Sequence, residues 1–187
     1  MPTLELLLQS HPSAWSTRSN NGRTPLHTAA LAGRSDALHF LLANCCSDYG
    51  ANDERLRDSC GATPLMEAIR GGHAALIPAF LEHPGHHLET ADGFGRNALH
   101  VAAHSGQAGI VRDLVACRGQ DPNGPSGHLD MRAIHWAALE GQAEAIGALL
   151  ENGADVNALD AKGRTALDIA RQSRHPKVAA ALLEQQQ

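Results

Sequence analysis

The chain has 187 residues, a formal charge of −5 and a pI of about 6.1, a balance that argues against a generally basic surface for nucleic acid. Met1-Pro2-Thr3-Leu4-Glu5 has no basic segment leading into a long apolar run, and nothing reaches about 18 uninterrupted apolar residues, so neither a secretory leader nor a membrane span is expected. Cys45, Cys46, Cys60 and Cys117 do not form a regular disulfide framework, which points to a reducing, cytoplasmic setting, although secretion by a route without a leader stays open.

In chain order, Leu4-Glu5-Leu6-Leu7-Leu8 predicts a short helix, and residues 1–18 read as an N-terminal cap. Then one phrase is written five times: Thr24-Pro25-Leu26-His27, Thr63-Pro64-Leu65-Met66, Asn97-Ala98-Leu99-His100, Arg132-Ala133-Ile134-His135 and Thr165-Ala166-Leu167-Asp168, at intervals of 39, 34, 35 and 33 residues. A fixed period of this length describes stacked small units with a long exposed face. In each unit a Gly sets a turn, Thr24, Thr63 or Asn97 can cap a helix, and Pro25 or Pro64 at its first position loses no hydrogen bond. Leu26, Ala29 and Ala30 form a narrow apolar stripe whose small side chains let helices approach closely. A break follows at Gly33, Gly72, Gly106 and Gly141, and then a second amphipathic segment, as in residues 37–42 and 110–115. The unit is turn, helix, turn, helix.

Three stretches depart from the pattern. Residues 45–58 carry about six residues beyond the usual spacing, a polar loop with one aromatic side chain, Tyr49. Asp130 stands where the turn glycine belongs, and Arg132 where the cap belongs. Gly124-Pro125-Ser126-Gly127-His128 lengthens the hairpin ahead of them. With no cap oxygen to lose, Arg132→Thr is expected to hold or raise stability unless its guanidinium pairs locally with Asp130 or Glu140.

The pattern resembles the ankyrin repeat, most specifically through Leu149-Leu150-Glu151-Asn152-Gly153-Ala154-Asp155-Val156-Asn157-Ala158-Leu159-Asp160, which is similar to that family's junction between an outer helix and the next hairpin. The resemblance implies an all-α ankyrin-repeat solenoid, an elongated stack of helix pairs with short hairpin-like turns. It forms a single domain over 1–187, with repeats at approximately 19–57, 58–91, 92–126, 127–159 and 160–187. It also implies protein binding through hairpin tips and the exposed part of the inner helices, by a stand-alone inhibitor, adaptor or effector accessory. A structural companion of low partner selectivity is the alternative. The segment ending at Asn157 is similar to the target of asparaginyl hydroxylases, making Asn157 a candidate modification site.

Catalytic patterns are missing from the chain. Twelve histidines invite such a reading, but His27, His100 and His135 recur at one repeat position and read as scaffold groups. No G-x-S-x-G, Walker-type loop, H-E-x-x-H or paired-carboxylate motif accompanies them. His39 with Cys45, Cys46 and Cys60 lacks zinc-ligand spacing, and His83, His86 and His87 lie around a Pro-Gly turn. Cys117 reads as a small buried or half-buried filler and Trp136 as core or groove packing. Neither an enzyme, a cofactor nor a metal is expected.

The repeat register turns the sequence into a face. Phe94, Leu129 and Met131 are apolar in turn segments, while Arg23, Arg70, Arg96, Lys162 and Arg164 are basic in an acidic chain. Arg23, Arg96 and Arg164 each immediately precede a cap position, so the expectation is a cationic row with Phe94 as an apolar anchor and His104 on the same face. Such a row would take a protein with an acidic surface or segment, from a chain that is otherwise a monomer.

Overall fold

The computed structural model describes residues 16–45, 54–83 and 87–185. The expected N-terminal helix at Leu4–Leu8, Cys46 and Tyr49 of the long loop, and His86 lie outside the described residues. The chain divides into two compact units, Met1–Gly93 and Phe94–Gln187. Both are helical, and among the described residues there is no sheet, only an isolated antiparallel bridge between Ser126 and Met131.

Among its described residues the first unit contains two helix pairs, α1 (Pro25–Leu31) with α2 (Ser35–Cys45), and α3 (Pro64–Arg70) with α4 (Ile77–Leu81), the latter entered through a 3-10 turn at Ala74–Leu76. Inner helix α1 packs on α3. Ala29, Ala30 and Ala68 are buried there, as the small-residue stripe requires, and Leu38, Leu42, Ile77 and Phe80 fill the space toward the outer helices. Guanidinium groups tie the turns together. Arg18 donates to the carbonyls of Gly22 at 2.9 Å and Arg57 at 2.7 Å. One repeat later Arg57 does the same to Gly61 at 3.2 Å and Ala91 at 2.6 Å.

The second unit contains three pairs: α5 (Ala98–His104) with α6 (Ala108–Arg112), α7 (Ala133–Leu139) with α8 (Ala143–Glu151), and α9 (Ala166–Gln172) with α10 (Pro176–Glu184). Inner helices stack in the order α5, α7, α9, and α6 packs on α8. The core is Leu99, Ala102, Ala103, Ile134, Ala137, Ala138, Leu149 and Ala170, with Leu114, Ile146 and Leu182 closing the outer side. Helix α6 continues as a π-turn, Asp113–Cys117. Its wider winding shifts the phase of the side chains along it, and Cys117, expected as a buried or half-buried filler, is exposed.

Capping varies with the residue at each cap position. Thr63 Oγ1 accepts from the Met66 amide at 3.3 Å, and Asn97 Oδ1 from the His100 amide at 3.2 Å. Thr165 and Asp168 satisfy one another reciprocally, at 3.2 Å and 2.9 Å. Thr24 differs from expectation, because its hydroxyl bonds to Nδ1 of His27 at 2.8 Å instead of capping an amide. His27 Nδ1 also accepts the Thr24 N–H at 3.1 Å, so the imidazole takes the part that a Glu plays in a capping box. His135 accepts the Arg132 N–H in the same way at 3.0 Å. The opposite ring nitrogens donate onward, His27 to the Ala62 carbonyl at 3.1 Å and His135 to the Ala158 carbonyl at 3.0 Å. Each ring is therefore a neutral staple between repeats, and burial lowers the pKa of both.

Repeat four keeps its geometry despite its sequence. Asp130 adopts φ 46°, the left-handed conformation that Gly163 holds at 70°, and Asp is among the residues that tolerate it. The hairpin has one residue more than its successor, running from Ser126 to Met131 where the next runs from Asp160 to Arg164, and a 3-10 turn at Gly127–Leu129 absorbs it. Arg132 has no cap oxygen, but its guanidinium donates to the Asn123 carbonyl at 3.0 Å and the Leu159 carbonyl at 2.6 Å. The expectation that Arg132→Thr loses nothing is overturned by these two bonds.

Candidate functional site

Two of the hairpins are braced by an aspartate. Asp58 Oδ1 accepts the amides of Cys60 at 2.8 Å and Ala62 at 2.9 Å. Asp160 Oδ1 accepts those of Lys162 and Arg164, both at 2.9 Å. Burial alone would raise the Asp160 pKa, but hydrogen bonds from the Arg164 side chain and from the Arg164 and Lys162 amides outweigh it and hold the carboxyl below its ordinary value. The tips project from these braces.

In the second unit the residue before the left-handed turn position is Phe94, then Leu129, then Lys162. Phe94 is 59% exposed, Leu129 is 39% exposed, and Lys162 is exposed. Backbone contact joins successive tips, since the Ala161 amide donates to the Leu129 carbonyl at 2.8 Å. Met131 is not part of this surface. It is 3% exposed, because its pairing with Ser126 turns the side chain inward.

Arg96 is 7% exposed, with its guanidinium 4.8 Å from the centre of the Phe94 ring and 5.1 Å from that of Trp136. Both distances are within cation–π range. Trp136 donates from Nε1 to Ser126 Oγ at 2.7 Å and meets the half-buried His104 ring edge-on at 5.7 Å. Phe94, Arg96, Trp136 and His104 thus make one continuous strip in the second unit. Its outer end is the exposed phenyl ring.

Three of the other cations, Arg23, Arg70 and Arg164, are engaged internally. In the first unit Arg23 lies 3.6 Å from Asp58 and 3.1 Å from Glu67, and Arg70 pairs with the same Glu67. Glu67 is fully buried, and burial raises its pKa against the opposing pull of Arg70 and Arg23. Arg164 donates twice to Asp160 Oδ2, at 2.9 and 2.7 Å, and to Gln172 at 3.0 Å. Much of the charge expected at Arg23, Arg70 and Arg164 is therefore already compensated within each unit. The sequence reading missed Glu67, Asp58 and Asp160 as these partners. The i, i+4 spacing of Asp160 and Arg164 was an available signal, whereas Arg23 and Glu67 meet only through the repeat register. Also missed was Leu159, 53% exposed beside the last hairpin.

Asn157 is exposed, and its amide donates to Asp155 Oδ1 at 2.9 Å. Among the described residues, no group of three or more His, Cys, Asp or Glu could hold a metal ion, and no helix is long and apolar enough to cross a membrane.

A family model described as ankyrin repeats (3 copies) matches residues 47–126 and 124–187, and one described as ankyrin repeats (many copies) matches residues 1–42. The transient receptor potential cation channel subfamily A member 1 homolog of Caenorhabditis elegans is 29% identical over 97% of the chain, which covers 14% of that protein. The neurogenic locus notch homolog protein 1 of Danio rerio is 31% identical over 78% of the chain, and palmitoyltransferase AKR1 of Debaryomyces hansenii 32% identical over 75%. The chain spans only 6% and 18% of those two proteins.

Proposed function

Because the chain belongs to the ankyrin-repeat family, we propose that it is a protein-binding module, acting as an inhibitor, adaptor or effector accessory through its hairpin tips and inner-helix face. The observation that carries this reading is the exposure of Phe94 on a rigid base, its ring stacked against Arg96, which in turn lies against Trp136. An exposed aromatic that is already ordered loses little side-chain freedom on binding, and aromatic and Arg side chains are the usual anchors of interfaces. Leu129 extends the apolar contact, and Lys162 with the open edge of Arg164 would meet an acidic segment of the partner. Exposed, unpaired Cys60 and Cys117 support a reducing, cytoplasmic setting. The activities named for the longer relatives are not carried over to a chain that spans so little of them.

Native co-purification with identification of bound proteins tests the proposal. One stoichiometric partner, lost on Phe94→Ala and Leu129→Ser and bound more slowly by Lys162→Glu at low salt, is the expected result. No partner, or many weak ones, favours the structural-companion alternative. A stoichiometric partner indifferent to all three substitutions would move recognition away from the tips.

A further inference from the structure

The turn between the two helices of a pair has a repeated construction. A β-carbon at Gly33 would lie 2.5 Å from the His73 ring, one at Gly106 would lie 2.4 Å from Gln142 Oε1, and one at Gly141 would lie 2.5 Å from His175 Nδ1. In each case the ring or amide of the following pair lies over the glycine and donates to the last carbonyl of the inner helix: His73 to Leu31 at 2.9 Å, Gln142 to His104 at 3.4 Å, His175 to Leu139 at 3.1 Å. The position must lack a side chain wherever another pair stacks this way.

In the α9–α10 pair that position is Arg174. It keeps the left-handed backbone, with φ 62°, although only Asp130 otherwise does so among the described non-glycine residues. Its β-carbon takes the place that a following ring or amide would occupy, so this face does not receive a further repeat in the same manner. The face is nevertheless shaped to receive something. Ala170, Pro176, Ala179, Ala180 and Leu183 line a recess on it, and Leu183 is 41% exposed. Arg171, Arg174 and His175 complete the lining. Among the described residues, neither guanidinium has an ion pair or a hydrogen bond, unlike Arg23, Arg70, Arg112, Arg118 and Arg164. Asp168, one turn before Arg171 on α9, directs its carboxylate to Thr165.

We propose that the outward face of α9 and α10 is a docking site for an acidic amphipathic helix, with its apolar edge on Ala180 and Leu183 and its carboxylates against Arg171 and Arg174. Two features select that occupant. A groove between two packed helices is the complement of a third, as α7 with α8 already shows by receiving α9 and α10. Two guanidinium groups at its border, neither held in an ion pair or hydrogen bond among the described residues although Arg171 acts on Asp168 through space, favour carboxylates and penalise a basic segment. This surface is separate from the hairpin tips, so either assignment can fail alone.

The probe is a fluorescently labelled, side-chain-stapled helical peptide with Leu at i, i+4 and i+7 and flanking Glu, titrated against the full chain, beside a control with every Glu replaced by Lys. The Glu peptide is expected to bind at least about tenfold tighter than the Lys peptide at low salt, and to be weakened about tenfold by Arg171→Glu and by Arg174→Gly. Phe94→Ala should leave its binding unchanged. Arg174→Gly relieves a left-handed Arg, so its fold should be at least as stable as that of the parent and its weakened binding is not unfolding. Amide shifts on peptide addition should centre on Ala180 and Leu183. Equal binding of the two peptides, indifference to both Arg variants, shifts at the tips, or no binding up to the solubility of the peptide would overturn the proposal. So would a dimer in sedimentation that Leu183→Asp dissolves, which would assign the face to a second copy.

Discussion

Adding a single methyl group at Gly141 tests how the second unit is stacked. Gly141 has φ 73° and Gly163 has φ 70°, so Ala at either position meets the same torsional penalty, about 1–2 kcal/mol. Only the surroundings differ. Nothing lies within 4 Å of a β-carbon at Gly163, whereas one at Gly141 would sit 2.5 Å from His175 Nδ1. Relieving that overlap displaces the imidazole and endangers its bond to the Leu139 carbonyl, a further loss of about 0.5–1.5 kcal/mol before any repacking. Gly163→Ala should therefore cost about 1–2 kcal/mol and Gly141→Ala about 2–4 kcal/mol in urea denaturation followed by circular dichroism. Placing His175→Ala in both backgrounds separates the contributions. The excess cost at Gly141 should disappear, while the cost at Gly163 should be unchanged. Equal costs for the two alanines, or full additivity of His175→Ala with Gly141→Ala, would show that the ring is not what excludes a side chain there.

Arg132→Thr should destabilise by about 1–3 kcal/mol, because two charged hydrogen bonds to the Asn123 and Leu159 carbonyls outweigh a gained cap; denaturation showing a gain would restore the simpler cap argument. Burial lowers the folded-state pKa of His27 and His135, so the unfolded chain binds more protons in acid. Their contribution is complete above the unfolded pKa of about 6.5 and is lost as pH falls from there toward the folded values. His135→Gln should flatten that acid limb, and an unchanged slope would remove His135 from it. Incubation with an asparaginyl hydroxylase is expected to add one oxygen at the exposed Asn157, read by intact mass and fragmentation; an unchanged mass would leave Asn157 as a turn residue.

The repeat was legible because its signals are local: a cap, Leu three positions into the phrase, and a Gly between helices. Asn97 caps as its chemistry suggests, and Asp130 occupies the left-handed position that its place in the phrase calls for. What could not be read depends on contacts made elsewhere in the chain. Met131 resembles an exposed tip residue until the bridge to Ser126 folds it under the hairpin. Cys117 follows an apolar run at helical spacing, but a π-turn rotates it outward. The basic positions were identifiable, and their compensation was not, since Arg23 finds Glu67 only when two repeats lie side by side.

That contact obeys a register rule. The residue just before the cap of one repeat meets the residue four positions after the cap of the next, giving an ion pair for Arg23 with Glu67 and a stacked guanidinium for Arg96 with Trp136. Repeats are accordingly exchangeable in kind but not in arbitrary order. A recombinant that placed the Glu67 repeat behind one with Ala62 before its cap would bury a carboxylate without this cation. The grammar of the array is thus written across junctions, and duplication of a junction, rather than of a single repeat, is the step that lengthens such a chain without leaving a charge stranded.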